Sequence, residues 1–389
     1  MSNRREVTVV SQMFYPDTIS TARVMTDIAE GIADEFDVKV VCQNRSYVDP
    51  SRFLEDNELP GTSVKIDRIK VPGLDKNKML SRIILTAIVS RNIRNKLKET
   101  NSDVYLSVSN PPSLPVLVGR HARKASSKFI YLVHDLYPDV LAKLGYISES
   151  SKVFKYMKRA TEEALELADS VVVLGRDVKE YLNNKYGISN DKIKIIPNWI
   201  PNPSESLRKI EPFNRDSSFR LVYAGNLGET AEIELLIQAV RKFDGVDFEL
   251  YIIGGGKFKN YYEKLTNQLG IKNVTFTGYL EDMQYEEHLS RADGFFVSLK
   301  KDLYGISVPS KTYHYLKYRK PILGLLPENS EIALLIEETN SGIVCSDYNV
   351  DALADSIKSI IEYEAVGDTD IVVNPFSRER AIASFKSIL

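Results

Sequence analysis

One rhythm runs through this chain twice and limits what it can become: short runs rich in Val, Ile, Phe and Tyr, each followed by a stretch with helical periodicity. In the first half the strand-like runs are Glu6–Ser11, Val38–Gln43, Val64–Val71, Val104–Ser109, Phe129–His134, Val171–Leu174 and Ile193–Ile196. The rhythm breaks at Pro197-Asn198-Trp199-Ile200-Pro201-Asn202-Pro203 and stays broken over the polar segment Arg208–Ser218. It resumes at Arg220–Ala224, Phe248–Ile253, Val274–Thr277, Gly294–Leu299, Pro321–Leu325 and Gly342–Cys345. Strands that alternate with helices imply parallel sheets covered on both faces, so the fold class is α/β, built twice. The expected division is residues 1–203, 204–370, and a last helical segment, 371–389, that crosses back to the first domain. Open sheets of this kind take ligands at the carboxyl ends of their strands, so the chemistry is sought in a crevice there.

Composition narrows the function. The chain of 389 residues has 51 basic against 53 acidic residues, a net charge of -2, and therefore no overall field that would draw it to nucleic acid. Its two cysteines, Cys42 and Cys345, sit in apolar runs far apart and read as core residues of a protein in a reducing compartment. The start, Met1-Ser2-Asn3-Arg4-Arg5, enters a strand without the apolar core of a signal peptide, and Ile83–Val89 is too short to cross a bilayer. The expected location is the cytoplasm, with any membrane contact peripheral.

Three segments of the second half and one of the first can carry chemistry. Val308-Pro309-Ser310-Lys311 opens the helical stretch that ends near Arg319, after Gly305-Ile306-Ser307, and puts an ammonium in the first turn, where a diphosphate is well received. An ordinary helix start with a solvated lysine has the same pattern. Tyr223-Ala224-Gly225-Asn226-Leu227-Gly228 is a strand end running into glycines, which let backbone approach a phosphate or sugar. Gly254-Gly255-Gly256-Lys257 resembles a dinucleotide fingerprint, but Lys259 stands where the third glycine is required, which argues against a dehydrogenase. In the first half, His134-Asp135-Leu136-Tyr137-Pro138-Asp139 places a His-Asp pair at the end of a strand; His134 is the histidine best placed to orient a substrate hydroxyl or exchange its proton.

In this order, over nearly the whole chain, these segments resemble glycosyltransferase family 4, and within it the colanic-acid and fucosamine type of surface-polysaccharide transferases. The resemblance implies the GT-B fold, two Rossmann-like domains facing a central cleft, and retaining transfer from a nucleotide-diphosphate sugar to a glycan acceptor. The second domain then holds the donor. Gly225 and Asn226 match the turn facing the phosphates, Ser307, Ser310 and Lys311 the helix start that grips them, Gly254 and Gly255 the turn beside the nucleotide, and Tyr279 and Leu280 the segment lining the base. Ser20, in the loop Phe14–Thr21, matches the part of the first domain that closes over the donor. His134, Asp135 and Lys311 are the catalytic candidates: His134 positions the sugar, Asp135 orients it, and Lys311 stabilises the phosphate charge that develops on the leaving group.

The chain departs from the family pattern at three points. His314 stands where the second of two glutamates contacts the ribose, and Ile306 where the first would be, so this position brings no fixed negative charge. Asn226 replaces an arginine, and Thr230-Ala231-Glu232 replaces a Lys-Gly, which leaves Lys311 as the principal cation on the diphosphate. Ile19-Ser20 replaces a glycine pair.

No metal and no cofactor is expected; Asp368-Thr369-Asp370 has the spacing of a metal pair but lies in a linker-like stretch. For the acceptor, Lys76–Lys98 has seven Lys/Arg residues, no acid, and Leu80, Ile83, Ile84, Ala87 and Ile88 at helical spacing. Such a helix suits an anionic membrane surface and a polyprenyl-diphosphate-linked acceptor, although a core-packing helix with a solvated basic end reads the same way. A non-catalytic nucleotide-sugar-binding scaffold and a nucleotide-sugar isomerase share the architecture; the isomerase turns over donor without acceptor.

Overall fold

In the computed structural model, residues 4–17, 19–47, 49–74, 79–200, 218–243, 246–363 and 374–389 are described. They form two compact units: Met1–Leu174, Val178–Pro197 and Glu379–Leu389 in one, Gly175–Asp177 and Asn198–Arg378 in the other. Both are α/β, the class read from the sequence.

The first unit contains strands β1 (Glu6–Val10), β2 (Asp37–Gln43), β3 (Lys65–Ile69), β4 (Val104–Val108), β5 (Lys128–Val133), β6 (Ser170–Val173) and β7 (Ile193–Ile195). They form one parallel sheet in the order β3-β2-β1-β4-β5-β6-β7. All five residues of β4 are buried, as a parallel strand covered on both faces requires, which is why it reads as a continuous run rather than an alternation. The intervening helices are α1 (Ser20–Ile32), α2 (Met79–Leu97), α3 (Leu114–Ala125), α4 (Asp139–Lys143), α5 (Lys152–Leu167) and α6 (Arg176–Tyr186). Helix α1 buries Ala22, Met25, Ile28, Ala29 and Ile32, a stripe of three- and four-residue steps.

The acid that ends the His134–Asp139 segment is a structural anchor. The Asp139 carboxylate is buried and accepts hydrogen bonds from Tyr181 Oη at 2.8 Å, from Lys185 Nζ and from Tyr186 Oη, tying α4 to α6. Asp139→Asn removes the charge that all three donors share, and should lower the unfolding free energy by about 2–3 kcal/mol, read by urea denaturation.

The second unit contains β8 (Phe219–Ala224), α7 (Ile233–Val240), β9 (Phe248–Ile253), α8 (Lys259–Gln268), β10 (Val274–Gly278), α9 (Asp282–Ser290), β11 (Gly294–Ser298), α10 (Lys311–Leu316), β12 (Ile322–Leu325), α11 (Glu331–Glu338), β13 (Gly342–Cys345) and α12 (Val350–Ile361). Its parallel sheet has the order β10-β9-β8-β11-β12-β13. Leu236, Ile237 and Val240 of α7, Leu353, Ile357 and Ile360 of α12, and Leu221, Phe248, Leu250 and Ile252 of the strands share one core.

The strand order reverses between β8 and β11, and there the two strands part. They pair only at Gly294↔Leu221 and Phe295↔Val222, whereas β8 stays paired with β9 as far as Ala224↔Ile253. A side chain takes over the abandoned ladder. Tyr315 Oη accepts from the Ala224 amide at 2.8 Å and donates to its carbonyl at 3.1 Å, while its ring stacks on Phe295 at 4.4 Å.

The last helix, α13 (Arg378–Ile388), buries Ala381, Ile382 and Phe385. It packs on α1 so closely that a Cβ on Gly31 would lie 2.6 Å from Ile382 Cγ1, and Lys386 pairs with Asp34 at 2.6 Å and Glu35 at 2.9 Å.

Candidate active site

Beyond Ala224 the chain of the second unit turns through Gly225-Asn226-Leu227-Gly228, and three contacts hold that turn rigid. Gly225 N donates to Ile253 O at 2.9 Å, Leu227 N to Gly255 O at 2.9 Å, and Tyr223 Oη to Asn226 O at 2.9 Å. The following turn after β9 meshes with it. Gly254 has φ +122°, and a Cβ there would lie 2.2 Å from Gly225 O; a Cβ on Gly256 would lie 2.6 Å from Leu227 O and 2.4 Å from Asn226 Oδ1. These two glycines are required by close approach of backbone, not merely by a turn. Gly255 is overlaid by the Tyr279 ring, 2.6 Å from its would-be Cβ.

Lys311 points into this corner. Its Nζ lies 3.8 Å from the centroid of the Tyr223 ring and 2.6 Å from where a Cβ on Gly225 would stand. Among the described residues no carboxylate pairs with it, and burial pushes its ammonium down to about 7. A lysine drawn in against bare backbone with only a ring face for company is poised for an anion. The neighbouring Lys257 is different, since it lies 2.6 Å from Glu229.

The helix start is less regular than the sequence implies. Helix α10 has six residues and begins at Lys311; Ser310 precedes it in helical conformation, and its side chain caps no amide. The Ser307 amide is taken by Leu303 O at 3.3 Å. The cation, rather than a capped terminus, is the main feature here.

Position 314 itself brings no negative charge, but a carboxylate from another helix stands beside it. His314 Nε2 lies 3.1 Å from Oε1 of Glu286 on α9, whose other oxygen accepts from Lys317 Nζ at 3.1 Å and from Tyr318 Oη. Burial alone would raise the Glu286 carboxyl, but the hydrogen bonds from His314, Tyr318 and Lys317 outweigh it and hold it down to about 2. Tyr285 and Tyr318 flank the imidazole, each 5.7 Å from its centroid. Tyr279 is 83% exposed and Leu280 part-buried, so the base-lining candidates present an open surface.

In the first unit, His134 directly follows the last residue of β5. The His134 and Asp135 amides both donate to Ser109 Oγ, at 3.2 Å each, which fixes the backbone of the pair. His134 Nε2 is shut off from water with no hydrogen-bond partner among the described residues, and burial pushes the imidazole down to about 4, so it is neutral near pH 7. Neutral and weakly basic, it is better suited to holding a hydroxyl than to removing its proton. Ser20 is the exposed first residue of α1. In the loop before it, Asp17 accepts from Ser46 Oγ at 2.6 Å and from the Tyr47 amide at 2.9 Å.

The structure thus gathers Gly225, Asn226, Gly254, Gly255, Tyr279, Lys311 and, through α10, His314 on the second unit, and sets His134, Asp135 and Ser20 on the first. Sequence reasoning missed Tyr223, Tyr315, Ser109 and Glu286. Two of these had a signal in the sequence: Tyr223 lies in the strand-end segment singled out there, and Tyr315 is four residues from Lys311 on one helix.

Comparison with known proteins bears on the chemistry. The model for Glycosyltransferase Family 4 matches residues 21–202, and the model for Glycosyl transferases group 1 matches residues 204–369. The chain is 26% identical to the probable glycosyltransferase WbjE of Pseudomonas aeruginosa over 78% of each chain. It is 21% identical to the putative colanic acid biosynthesis glycosyl transferase WcaI of Escherichia coli K12 over 62% of this chain and 61% of that one. Anabaena HepE, solved in complex with UDP and glucose, shares the fold at TM-score 0.68 and 16% identity, over 99% of this chain and 100% of that one. With each half matched by its own model, the chain is a glycosyltransferase of family 4 with the GT-B fold.

Proposed function

We propose that this enzyme transfers a sugar, with retention of anomeric configuration, from a nucleotide-diphosphate sugar to a lipid-linked glycan acceptor in surface-polysaccharide biosynthesis. The observation that carries the donor site is Lys311, a cation without a carboxylate partner among the described residues, set against the interlocked Gly225 and Gly254 turns. Here Lys311 meets the diphosphate, Gly225 and Asn226 offer close backbone approach, Gly254 and Gly255 border the nucleotide, and Tyr279 and Leu280 border the base. Ser307 and Ser310 add hydroxyls beside the phosphates, and His314 meets the ribose. UDP in the HepE complex supports a nucleoside diphosphate as the ligand class.

As the donor bond breaks, negative charge grows on the leaving phosphate, and a preplaced ammonium lowers that barrier. The same phosphate takes the acceptor's proton on the face from which it departs, which yields retention. His134 and Asp135 orient the sugar, and Ser20 contributes its hydroxyl to donor binding. With Lys311 in the role of the cation, the transfer runs without a metal and is unaffected by EDTA.

The name of WcaI supports a surface-polysaccharide acceptor, and α2 supports delivery at the cytoplasmic face of a membrane. Among the described residues no helix is long and apolar enough to cross a membrane. Helix α2 buries Val89, Ile93 and Leu97 and turns outward Ile83 and Ile84 together with Arg91 and Arg94. Apolar and basic side chains on one outer face suit an anionic bilayer. Residues 75–78, which hold Lys76 and Lys78, lie outside the described residues. Ile83→Asp with Ile84→Asp should reduce co-sedimentation with phosphatidylglycerol vesicles by about tenfold while leaving nucleotide binding unchanged.

The test is incubation of the enzyme with labelled UDP- and GDP-sugars and a membrane lipid extract, with the anomeric configuration of the product read by NMR. Acceptor-dependent product of unchanged configuration supports the proposal. Inversion, or turnover of donor without acceptor, contradicts it.

A further inference from the structure

Glu286 belongs to none of the segments that carry the family resemblance, yet its carboxylate engages three side chains of the helix that carries Lys311 and of the turn after it. Its two oxygens have separate duties. Oε2 accepts from Lys317 Nζ at 3.1 Å and from Tyr318 Oη, which fixes the carboxylate without help from His314; Oε1 is left facing His314 Nε2 at 3.1 Å. A carboxylate held down to about 2 is ionised throughout the working pH range and can only accept. Nε2 must therefore carry the hydrogen. A neutral imidazole that donates from Nε2 has its lone pair on Nδ1, and among the described residues Nδ1 makes no hydrogen bond.

The place of this imidazole gives the lone pair a use. His314 follows Lys311 by three residues on α10, so the two side chains share a face about 5 Å apart along the axis. Lys311 reaches the Gly225 corner; His314, one turn on, lies beside α9, which follows the Gly278-Tyr279-Leu280 segment. A nucleotide with its diphosphate on Lys311 offers ribose hydroxyls, which are donors, as its next polar groups.

We propose that Glu286 is a positioning residue of the donor site: it fixes His314 as the Nε2–H tautomer, so that Nδ1 accepts a hydrogen bond from a ribose hydroxyl of the nucleotide. This rests on the donor-site reading of Lys311. An orienting carboxylate behind an imidazole settles which nitrogen donates, and so which group the other can receive. The negative charge missing at position 314 is thus supplied one shell further out, from α9.

The experiment is calorimetric titration of UDP, GDP, their 2′-deoxy and 3′-deoxy forms, and inorganic pyrophosphate into wild type, Glu286→Gln, His314→Ala, the double variant and Glu287→Gln, with imidazole 15N NMR of each. The expected wild-type preference for one ribonucleotide over a deoxy form is about tenfold, the worth of one well-made hydrogen bond. Glu286→Gln should lose most of that preference, retain pyrophosphate affinity, and show a mixed tautomer signal. The double variant should be no weaker than His314→Ala. Glu287→Gln removes the neighbouring carboxylate of α9, which pairs with Arg291 at 2.6 Å, and should keep both the preference and the tautomer, which separates positioning by Glu286 from the general charge of α9. An unchanged ribo-to-deoxy ratio or tautomer in Glu286→Gln overturns the inference while Lys311-dependent binding leaves the donor site standing. If wild type binds neither nucleotides nor pyrophosphate, the donor-site reading itself fails.

Discussion

Lys311→Ala is expected to lower kcat/KM for sugar transfer by about 10³-fold, the usual consequence of removing a preplaced group that stabilises developing negative charge. The loss should fall on both donor affinity and turnover, because the ammonium meets the diphosphate in the ground state and more strongly as the bond breaks. Stability should move the other way. Burial lowers the folded-state value of Lys311 to about 7 from an ordinary 10.5, so between those pH values the unfolded chain holds more protons than the folded one. The stability contribution of this lysine therefore rises with pH across that window, and its full cost is felt below pH 7. Lys311→Met should raise the melting temperature most at pH 6, and the gain should shrink as pH approaches 10.5. Binding of a diphosphate restores the charged form, so at pH 8–9 wild type should take up close to one proton per donor bound. Calorimetry in buffers of different ionisation enthalpy reads that uptake directly; the Met variant should show none from this group.

Gly254→Ala should destabilise the second unit by about 3 kcal/mol and abolish nucleotide binding with it, since overpacking against backbone and a disfavoured φ add together. At φ +122° the new methyl would lie 2.2 Å from Gly225 O, so the β9 turn can relax only by displacing the Gly225 corner where Lys311 rests. Gly270 provides the contrast. It also has positive φ, +70°, but nothing within 4 Å of its would-be Cβ, so Gly270→Ala should cost only the backbone term, about 1 kcal/mol, with binding intact. Denaturant titration followed by nucleotide binding for both variants distinguishes the two cases.

The fold was legible because each of its causes is local. A strand buried on both faces, such as Val104–Val108, declares itself as an apolar run, and α1 declares itself by the spacing of Met25, Ile28 and Ile32. Lys311 and the Gly225 and Gly254 turns were legible for the same reason: each is a residue type whose chemistry or backbone freedom is tied to its own position. What escaped were residues whose roles depend on partners far away in sequence. Tyr315 restores the Ala224 ladder across 91 positions, and Glu286 meets His314 across 28. No periodicity reports such pairings. Helix α2 shows a further limit, since its Ile83 and Ile84 share apolar character with the core-facing Val89 and Ile93, and only packing reveals that they turn outward. The pair Asp368 and Asp370 lies outside the described residues.

The most direct test of the donor site is calorimetric titration of UDP and GDP into wild type and Lys311→Ala at pH 6.5, below the point at which the buried lysine discharges. The account predicts one nucleotide bound per chain by wild type, and binding at least about 100-fold weaker in the variant, the loss of a charge-assisted contact of roughly 3 kcal/mol. Equal affinity in the two proteins would show that the diphosphate is held elsewhere and would contradict it.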